Sequence, residues 1–152
     1  MYLKEELKKY ENNKIDIYVD MDGVIADYNV GVAYDYDKKR PLYTSLEKLE
    51  EISKLPNVTL HILSITRMTA GREEKNIWLD KYAPFFLKEN RNIISREENN
   101  FEESSNLKVN YLKKLDKDNK VIILIDDDPL ILHTVRKEVK DIILYKDTVL
   151  VD

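Results

Sequence analysis

The stretch from residue 15 to residue 27 constrains the fold of this chain more than any other. It reads IDIYVDMDGVIAD, which is a short apolar run, two aspartates one residue apart, a glycine and a second apolar run. The first run is rich in β-branched and aromatic residues and too short for a helix, so it predicts a buried strand over residues 15–19. Asp20 and Asp22 then lie at its carboxyl end, which is the edge where open α/β sheets bind ligands.

An ordinary turn is the alternative interpretation of this stretch. Asp22-Gly23 is a common turn dipeptide, and Gly23 lets the backbone bend without a Cβ penalty. Against a solvated turn, Asp20 directly continues a strand that is too apolar to face water. A carboxylate there is costly unless it is paired or binds a metal, so we favour a functional site.

A second acidic strand end lies near the end of the chain. Residues 121–125 (VIILI) are the most apolar run and lead directly into Asp126, Asp127 and Asp128. Three consecutive carboxylates on a buried strand repel one another, which favours a bound cation. If the two acidic ends are adjacent in one sheet, their oxygens converge, and oxygen ligands without cysteine or histidine favour magnesium, which also binds phosphates.

Helical and strand patterns alternate along the chain. This predicts an α/β fold, a Rossmann-like three-layer sandwich with a mostly parallel five-stranded sheet. The 152 residues favour a single domain over residues 1–152, with a small lid-like insertion at about 28–43. The expected strands are 15–19, 58–63, 92–95, 121–125 and 141–145. The expected helices are 2–10, 45–54, 73–82, 107–115 and one that begins near residue 130. Residues 96–106 are expected to form an exposed loop.

Two helix starts carry capping signals. Thr44 with Glu47 three residues later resembles a capping box for the helix at 45–54. Ser104 or Ser105 is the expected cap of the helix at 107–115, which places Lys108 in its first turn. A lysine there opposes the helix dipole unless something anionic compensates it.

Several aromatic and polar side chains are expected to pack rather than to react. In the helix at 73–82, Ile77, Trp78 and Tyr82 are expected to face the core. His61 lies inside the second strand, where a packed and hydrogen-bonded histidine is the more common case than a ligand or base.

The second strand ends at Ser64-Ile65-Thr66-Arg67. Hydroxyls at a strand end often only form turns, but beside a carboxylate and metal centre they can hold a phosphoryl oxygen. An aspartate beside that ion can attack phosphorus while a second carboxylate two residues away shuttles protons. Lysine and hydroxyl groups then stabilise the phosphoryl charge.

Net charge and composition limit the expected binding partners and cellular location. The net charge of −4 and pI near 5.4 argue against a protein that binds nucleic acid through its overall field. The N-terminus has no signal-type apolar core and no later run reaches membrane-spanning length, so no membrane partner is expected. The absence of cysteine fits a reducing compartment, and a cytoplasmic location is the expectation.

Four separated motifs lie within roughly residues 15–145: Asp20-Met21-Asp22-Gly23-Val24, Ser64, Lys108 and Asp126-Asp127. In order and context they resemble the motifs of the haloacid-dehalogenase-like (HAD) phosphohydrolases. The resemblance implies a HAD-like fold with a minimal cap, Mg²⁺ as cofactor, and hydrolysis of phosphomonoesters through an aspartyl-phosphate. It implies Asp20 as nucleophile, Asp22 as general acid and base, Ser64 as phosphoryl ligand, Lys108 as the neutralising lysine, and Asp20, Asp126, Asp127 and the backbone carbonyl of Asp22 around the metal.

Three residue assignments have alternatives. In the family, the lysine usually precedes the acidic fourth strand by one helix, and this position selects Lys108. Lys75 is the alternative. Thr66 replaces Ser64 if the second strand runs longer than expected. Which of the three aspartates at 126–128 bind the metal directly is left open.

The stretch DMDGVIADYN and a later tryptophan-leucine helix resemble the 5'(3')-deoxyribonucleotidase group. The substrate would then be a small phosphorylated molecule such as a deoxynucleoside monophosphate. Candidate substrate contacts are Gly23, Tyr28, Tyr36, Thr66 and Arg67. Ser64-Ile65 stands where that group has a threonine-serine pair. The nucleotide contacts of that group are therefore not carried over to this position.

Other functions stay open. An open site leaves substrate choice to loops or to a second copy of the chain in a homo-oligomer, and it permits larger substrates. The substrate could instead be a polynucleotide 3'-phosphate or a sugar phosphate, or the chain could be a non-catalytic interaction module of this fold. Residues 123–132 also resemble the start of a response-regulator receiver, although too few residues follow for a whole receiver domain.

Overall fold

A computed structural model of the chain describes residues 2–28 and 35–151. The five helices within these residues are α1 Tyr2–Lys8, α2 Tyr43–Ser53, α3 Gly71–Tyr82, α4 Ser104–Lys113 and α5 Pro129–Glu138. The strands are β1 Lys14–Val19, β2 Val58–Thr66, β3 Arg91–Ser95, β4 Lys120–Asp126 and β5 Ile142–Lys146. Short 3-10 turns lie at Tyr36–Lys38, Lys88–Asn90, Glu97–Asn99 and Asp147–Leu150.

The strands form one sheet in the order β3-β2-β1-β4-β5, and every pairing is parallel. Parallel neighbours need crossover connections, which the helices supply. The predicted α/β sandwich is therefore confirmed, with a fully parallel sheet where a mostly parallel one was expected. The order differs from the 2-1-3-4-5 order of receiver domains, so the topology does not support the receiver alternative.

Two apolar clusters hold helices on the two faces of the sheet. Ile15, Ile17 and Val19 of β1 pack with residues of α1, α2 and α3 on one face. Tyr18 points to the other face, where it packs with α4 and α5. This alternation follows from the two-residue period of a strand and gives the three layers. None of the helices in the described residues is long and apolar enough to cross a membrane.

The register of the central strands brings the two acidic ends together. Val19 pairs with Ile125 of β4, and the Asp20 amide donates a 3.0 Å hydrogen bond to the Ile125 carbonyl. Asp20 and Asp126 therefore follow paired residues on strands that lie about 4.8 Å apart. The predicted adjacency of the two acidic strand ends is confirmed.

Both predicted helix caps are wrong. The residue before α2 is Leu42 and the residue before α4 is Glu103, and neither helix has a side-chain cap. Thr44, Ser104 and Ser105 lie inside the first turns, because the preceding segment determines where each helix begins. A backbone hydrogen bond to Ile25 fixes Leu42 before α2, and a left-handed turn precedes α4. Consequently Lys108 is the fifth residue of α4 and lies beyond its first turn.

The buried side of α3 also differs from the prediction. Ile77 was expected to face the core but is 56% exposed, whereas Lys75, Trp78 and Leu79 are buried. These three have the i, i+3, i+4 spacing of one helix face, which leaves Ile77 on the opposite side. The prediction for Trp78 is confirmed, and Tyr82 packs partly buried against the same cluster.

Candidate active site

Three carboxylates converge at the carboxyl ends of β1 and β4. Asp20, Asp126 and Asp127 each offer one oxygen, and these oxygens lie within 4.8 Å of one another. Asp126 is fully buried, and the Asp20 side chain is 13% exposed. A compact set of oxygen donors without nitrogen or sulfur ligands fits Mg²⁺.

Lys108 is the cation of this cluster. Its Nζ donates to Oδ2 of Asp126 at 2.6 Å and lies 3.1 Å from Oδ1 of Asp20. The side chain is 1% exposed. Burial alone would lower the pKa of Lys108, but the charges of Asp20 and Asp126 raise it above its ordinary value, so the ammonium group stays charged.

The carboxylates carry more negative charge than Lys108 neutralises. Burial raises the pKa of Asp20 to about 7, with Lys108 opposing and Asp126 adding to the rise. Burial and the charge of Asp126 raise the pKa of Asp127 to about 6. A divalent cation between these groups would favour their ionised forms.

Asp128 is not part of the carboxylate cluster formed by its two neighbours. Its side chain accepts a 2.9 Å hydrogen bond from the Leu130 amide and caps α5. Its own amide donates to Oδ1 of Asp126 at 3.0 Å, which orients that carboxylate. Of the three consecutive aspartates, Asp126 and Asp127 belong to the cluster and Asp128 starts the helix.

Asp22 lies between two buried lysines. Lys39 Nζ donates to Oδ1 at 2.6 Å, and Lys75 Nζ lies 3.4 Å from Oδ2. Burial by itself would raise the pKa of Asp22, but the charges of Lys75 and Lys39 hold it below its ordinary value. Asp22 is therefore ionised in the free protein.

Lys39 is a site residue that was not predicted from the sequence. The chain returns to the site because Asp27 and Arg40 are joined by a backbone hydrogen bond of 2.8 Å, and Trp78 Nε1 donates to the Lys39 carbonyl at 3.0 Å. Lys39 falls in the segment predicted as a lid, of which residues 29–34 lie outside the described residues. No spacing rule links residues 22 and 39, so the neighbouring basic run Lys38-Lys39-Arg40 was the one available signal.

The two hydroxyls near the carboxyl end of β2 occupy different surroundings. Ser64 is buried, and its Oγ accepts a 2.7 Å hydrogen bond from Lys75. Thr66 Oγ1 donates to the Met68 carbonyl at 3.2 Å. The strand runs to Thr66, three residues beyond the predicted end, which is the condition set for Thr66 as the alternative to Ser64. Both roles stay predictions.

Both lysines that compete for the family's position lie in the site. Lys108 contacts Asp20 and Asp126, whereas Lys75 contacts Ser64 and Asp22. Lys108 is the lysine that lies beside the carboxylate cluster, and which of the two lysines neutralises phosphoryl charge stays a prediction.

A cavity of about 380 Å³ opens over Asp20. Its lining comprises Asp20, Asp22, Tyr28, Ile65, Ser104, Lys108, Asp127, Asp128, Pro129 and Ile131. A larger cavity of about 760 Å³, lined by Gly23, Arg40, Tyr43 and Val151 among others, holds no member of the carboxylate cluster. The chemistry therefore selects the smaller cavity. Gly23 lines the other one, and its predicted substrate contact stays a prediction.

Known proteins resemble this chain in structure but not closely in sequence. No family model and no curated protein matches it. A chain of the Pnkp1/Rnl/Hen1 complex is similar with a TM-score of 0.69 and 17% identity over 88% of this chain and 46% of that one. A chain of the Pnkp1/Rnl/Hen1 RNA repair complex gives 0.66 and 18% over 89% and 43%.

A third solved structure is the N-terminal part of the protein BF1531 from Bacteroides fragilis, containing a phosphatase domain complexed with Mg. It gives a TM-score of 0.59 and 13% identity over 93% of this chain and 39% of that one. This chain therefore spans less than half the length of the solved chains it resembles. At these identities the likeness concerns the fold: the chain has the HAD-like, Rossmann-like α/β fold of these structures over nearly all of its length.

Proposed function

We propose that the chain is a Mg²⁺-dependent phosphomonoester hydrolase that forms an aspartyl-phosphate on Asp20. One observation carries this proposal: Asp20, Asp126 and Asp127 bring their oxygens within 4.8 Å of one another, with Lys108 against two of them. The same cluster borders a cavity large enough for a phosphoryl group. The structural likeness to a Mg-bound phosphatase domain is consistent with it.

The carboxylates of Asp20, Asp126 and Asp127 are the groups that would hold Mg²⁺. When bound, the ion supplies positive charge to the phosphoryl oxygens and to Asp20. Lys108 adds a second positive charge at the same place. Together they favour the ionised form of Asp20, which a nucleophile requires.

The reaction has two balanced steps. In the first, an oxygen of Asp20 attacks phosphorus, the bond from phosphorus to the ester oxygen breaks, and Asp22 gives a proton to the leaving alcohol. In the second, a water molecule attacks the acyl phosphate, its proton passes to Asp22, and Asp20 is released with free phosphate. Asp22 is then protonated, and it releases this proton to solvent when phosphate leaves and the free protein is restored.

The surroundings of Asp22 suit these two roles in different ways. Lys39 and Lys75 favour its ionised form, which is the form that takes a proton from water. The negative charge of a bound phosphate offsets the two lysines and favours proton uptake before the first step.

Two substrate classes follow from the resemblances. A deoxynucleoside monophosphate is expected from the likeness to the deoxyribonucleotidase group. A polynucleotide 3'-phosphate is the second candidate, favoured by the structural likeness to a chain of an RNA repair complex. The cavity has a volume of about 380 Å³ and is open to solvent, which suits either substrate.

The test is phosphate release from a panel of esters. The panel contains an aryl phosphate, deoxynucleoside 5'- and 3'-monophosphates, sugar phosphates and a 3'-phosphorylated oligonucleotide, with Mg²⁺ and with EDTA. We expect Mg²⁺-dependent release that Asp20→Asn abolishes. Asp16→Asn is the matched control, since Asp16 lies in the same strand but pairs with His61 away from the cluster. Absence of turnover on the whole panel would overturn the proposal in favour of a non-catalytic interaction module.

A further inference from the structure

A second and smaller cavity adjoins the one over Asp20. It has a volume of about 150 Å³ and shares Asp22 and Ile65 with the larger cavity. We call it the Tyr36 cavity. Its lining comprises Asp22, Tyr36, Lys39, Ile65, Thr66, Arg67, Gly71, Glu74 and Lys75.

The Tyr36 cavity has an excess of positive charge. Lys39, Lys75 and Arg67 contribute three cations against the two carboxylates of Asp22 and Glu74. Lys39 and Lys75 are only 5% and 4% exposed, whereas Glu74 is exposed to solvent. Charges with little hydration act more strongly at short range. Burial lowers the pKa of Lys75, and an additional anion in the cavity would counteract this by favouring the charged ammonium group.

Tyr36 places a buried hydrogen-bond donor beside Asp22 in this cavity. Among the residues that the structure describes, no group accepts a hydrogen bond of good geometry from its buried hydroxyl, and the Asp22 carboxylate lies close enough to interact with it. Burial and the nearby charge of Asp22 raise the pKa of this phenol, so it keeps its proton. A buried donor without a well-aligned acceptor is unfavourable, and it marks a place where an acceptor from a ligand would be stabilised.

The ring of Tyr36 also organises the two lysines. Lys39 Nζ lies 4.8 Å and Lys75 Nζ lies 5.3 Å from the ring centroid, within the range of cation–π contacts. The ring thus holds two ammonium groups near the donor hydroxyl. Arg67 completes the set with a guanidinium group at the exposed side, and guanidinium groups bind phosphates in a bidentate way.

We propose that the Tyr36 cavity binds a second phosphoryl group, carried by the leaving group of the substrate. The preferred substrates are then phosphomonoesters of alcohols that already bear a phosphate monoester or diester a few atoms from the scissile oxygen. This inference rests on the proposed function, because Asp22 is the residue proposed to protonate the leaving oxygen and it lines both cavities.

Two kinds of molecule present this chemistry. A nucleoside 3',5'-bisphosphate carries a second monoester, and the end of a 3'-phosphorylated oligonucleotide carries a diester at the same relative position. A nucleoside 3'-monophosphate carries neither and is the matched reference. Comparing the three substrates therefore isolates the second phosphoryl group and distinguishes its two sources.

The test measures kcat/KM with Mg²⁺ for thymidine 3',5'-bisphosphate, a 3'-phosphorylated thymidine dinucleotide and thymidine 3'-monophosphate. We expect at least one of the first two to exceed the third by about tenfold or more, the effect of one or two charge-assisted hydrogen bonds. Tyr36→Phe keeps the ring and removes the hydroxyl, so it should lower that ratio without loss of thermal stability. Arg67→Gln should lower it as well.

Lys81→Gln is the control for charge. It removes an exposed cation from the same helix as Lys75, outside the cavity, and should leave the ratio unchanged. Equal kcat/KM values for all three substrates, or a ratio that Tyr36→Phe and Arg67→Gln do not alter, would overturn the inference even if the enzyme hydrolyses each of them.

A binding measurement separates this inference from the proposed function. Calorimetric titration of Asp20→Asn with thymidine 3',5'-bisphosphate and thymidine 3'-monophosphate needs no turnover. Tighter binding of the bisphosphate that is lost in the Asp20→Asn, Tyr36→Phe double variant supports the cavity, even if no ester is hydrolysed. Equal affinity for both ligands contradicts the cavity, whether or not phosphate release is observed.

Discussion

A methyl group on Gly23 would lie 2.0 Å from Oδ2 of Asp127. Gly23 also has a φ of +81°, a conformation that side chains rarely adopt. The carboxylate of Asp127 therefore occupies the space that any other residue at position 23 would need. The glycine of the first acidic motif is explained by the position of an aspartate more than a hundred residues later.

Gly23→Ala should displace Asp127 and weaken Mg²⁺ binding. The positive φ alone costs about 1 to 2 kcal/mol, and the contact adds to it. Calorimetric Mg²⁺ titration and urea unfolding measure the two effects. In an Asp127→Ala background, where the obstructing carboxylate is absent, the same glycine substitution should cost less stability; equal costs in both backgrounds would contradict the contact.

Lys108→Met should destabilise the metal-free protein by roughly 3 kcal/mol, because it leaves the carboxylates of Asp20 and Asp126 buried without their cation. Mg²⁺ should restore much of this loss, since the ion replaces the missing charge. Urea unfolding with EDTA and with Mg²⁺ measures the difference. Lys113→Met, an exposed lysine of the same helix, should change little in either condition.

Asp20→Asn should stabilise the metal-free protein, and the gain should grow with pH. The pKa of Asp20 is about 7 in the folded chain against an ordinary value of 3.8. Between these values the folded state holds a proton that the unfolded state releases, so the free energy of unfolding falls as the pH rises and levels off above about pH 7. The asparagine variant lacks this loss, and its advantage at about pH 8 should be on the order of a few kcal/mol.

Urea unfolding in EDTA at several pH values tests this dependence. Asp16→Asn provides the opposite sign as a control. The hydrogen bond from His61 lowers the pKa of Asp16, so this carboxylate stabilises the fold above its unfolded pKa and its replacement should be destabilising at neutral pH. A constant difference between wild type and Asp20→Asn across the pH series would contradict the raised pKa.

Trp78→Phe should lower activity more than its effect on packing suggests. The substitution keeps an aromatic ring in the core but removes the donor that fixes the Lys39 carbonyl. We expect a stability loss of about 1 to 3 kcal/mol and, at a temperature where the variant is folded, a reduced kcat. Tyr82→Phe, next to Trp78 in the same aromatic cluster, should leave kcat unchanged.

The sequence predicted the parts of the site that local patterns determine. The apolar runs before Asp20 and Asp126 are periodic and short, and strand pairing then brings their ends together. Lys75 was also within reach, because its spacing to Trp78 and Leu79 places it on the buried face of α3. The prediction that put Ile77 on that face failed because it followed hydrophobicity rather than spacing.

The contacts made by chain reversals were not predictable in this way. Lys39 reaches Asp22 through backbone bonds between the segments around Asp27 and Arg40, and no side-chain period encodes them. The helix caps failed for a similar reason, since Leu42 is held by Ile25 before α2 begins. Tertiary hydrogen bonds, rather than local preferences, decide these positions.

Covalent labelling of Asp20 distinguishes an aspartyl-phosphate mechanism from direct hydrolysis by water. Wild-type protein is mixed with Mg²⁺ and a phosphate-labelled aryl ester, quenched with acid within one turnover, digested and analysed by mass spectrometry. We expect a phosphoryl group on the peptide that contains Asp20, absent with EDTA and absent in Asp20→Asn. Phosphate release that proceeds without this label, or a label on another residue, would contradict it.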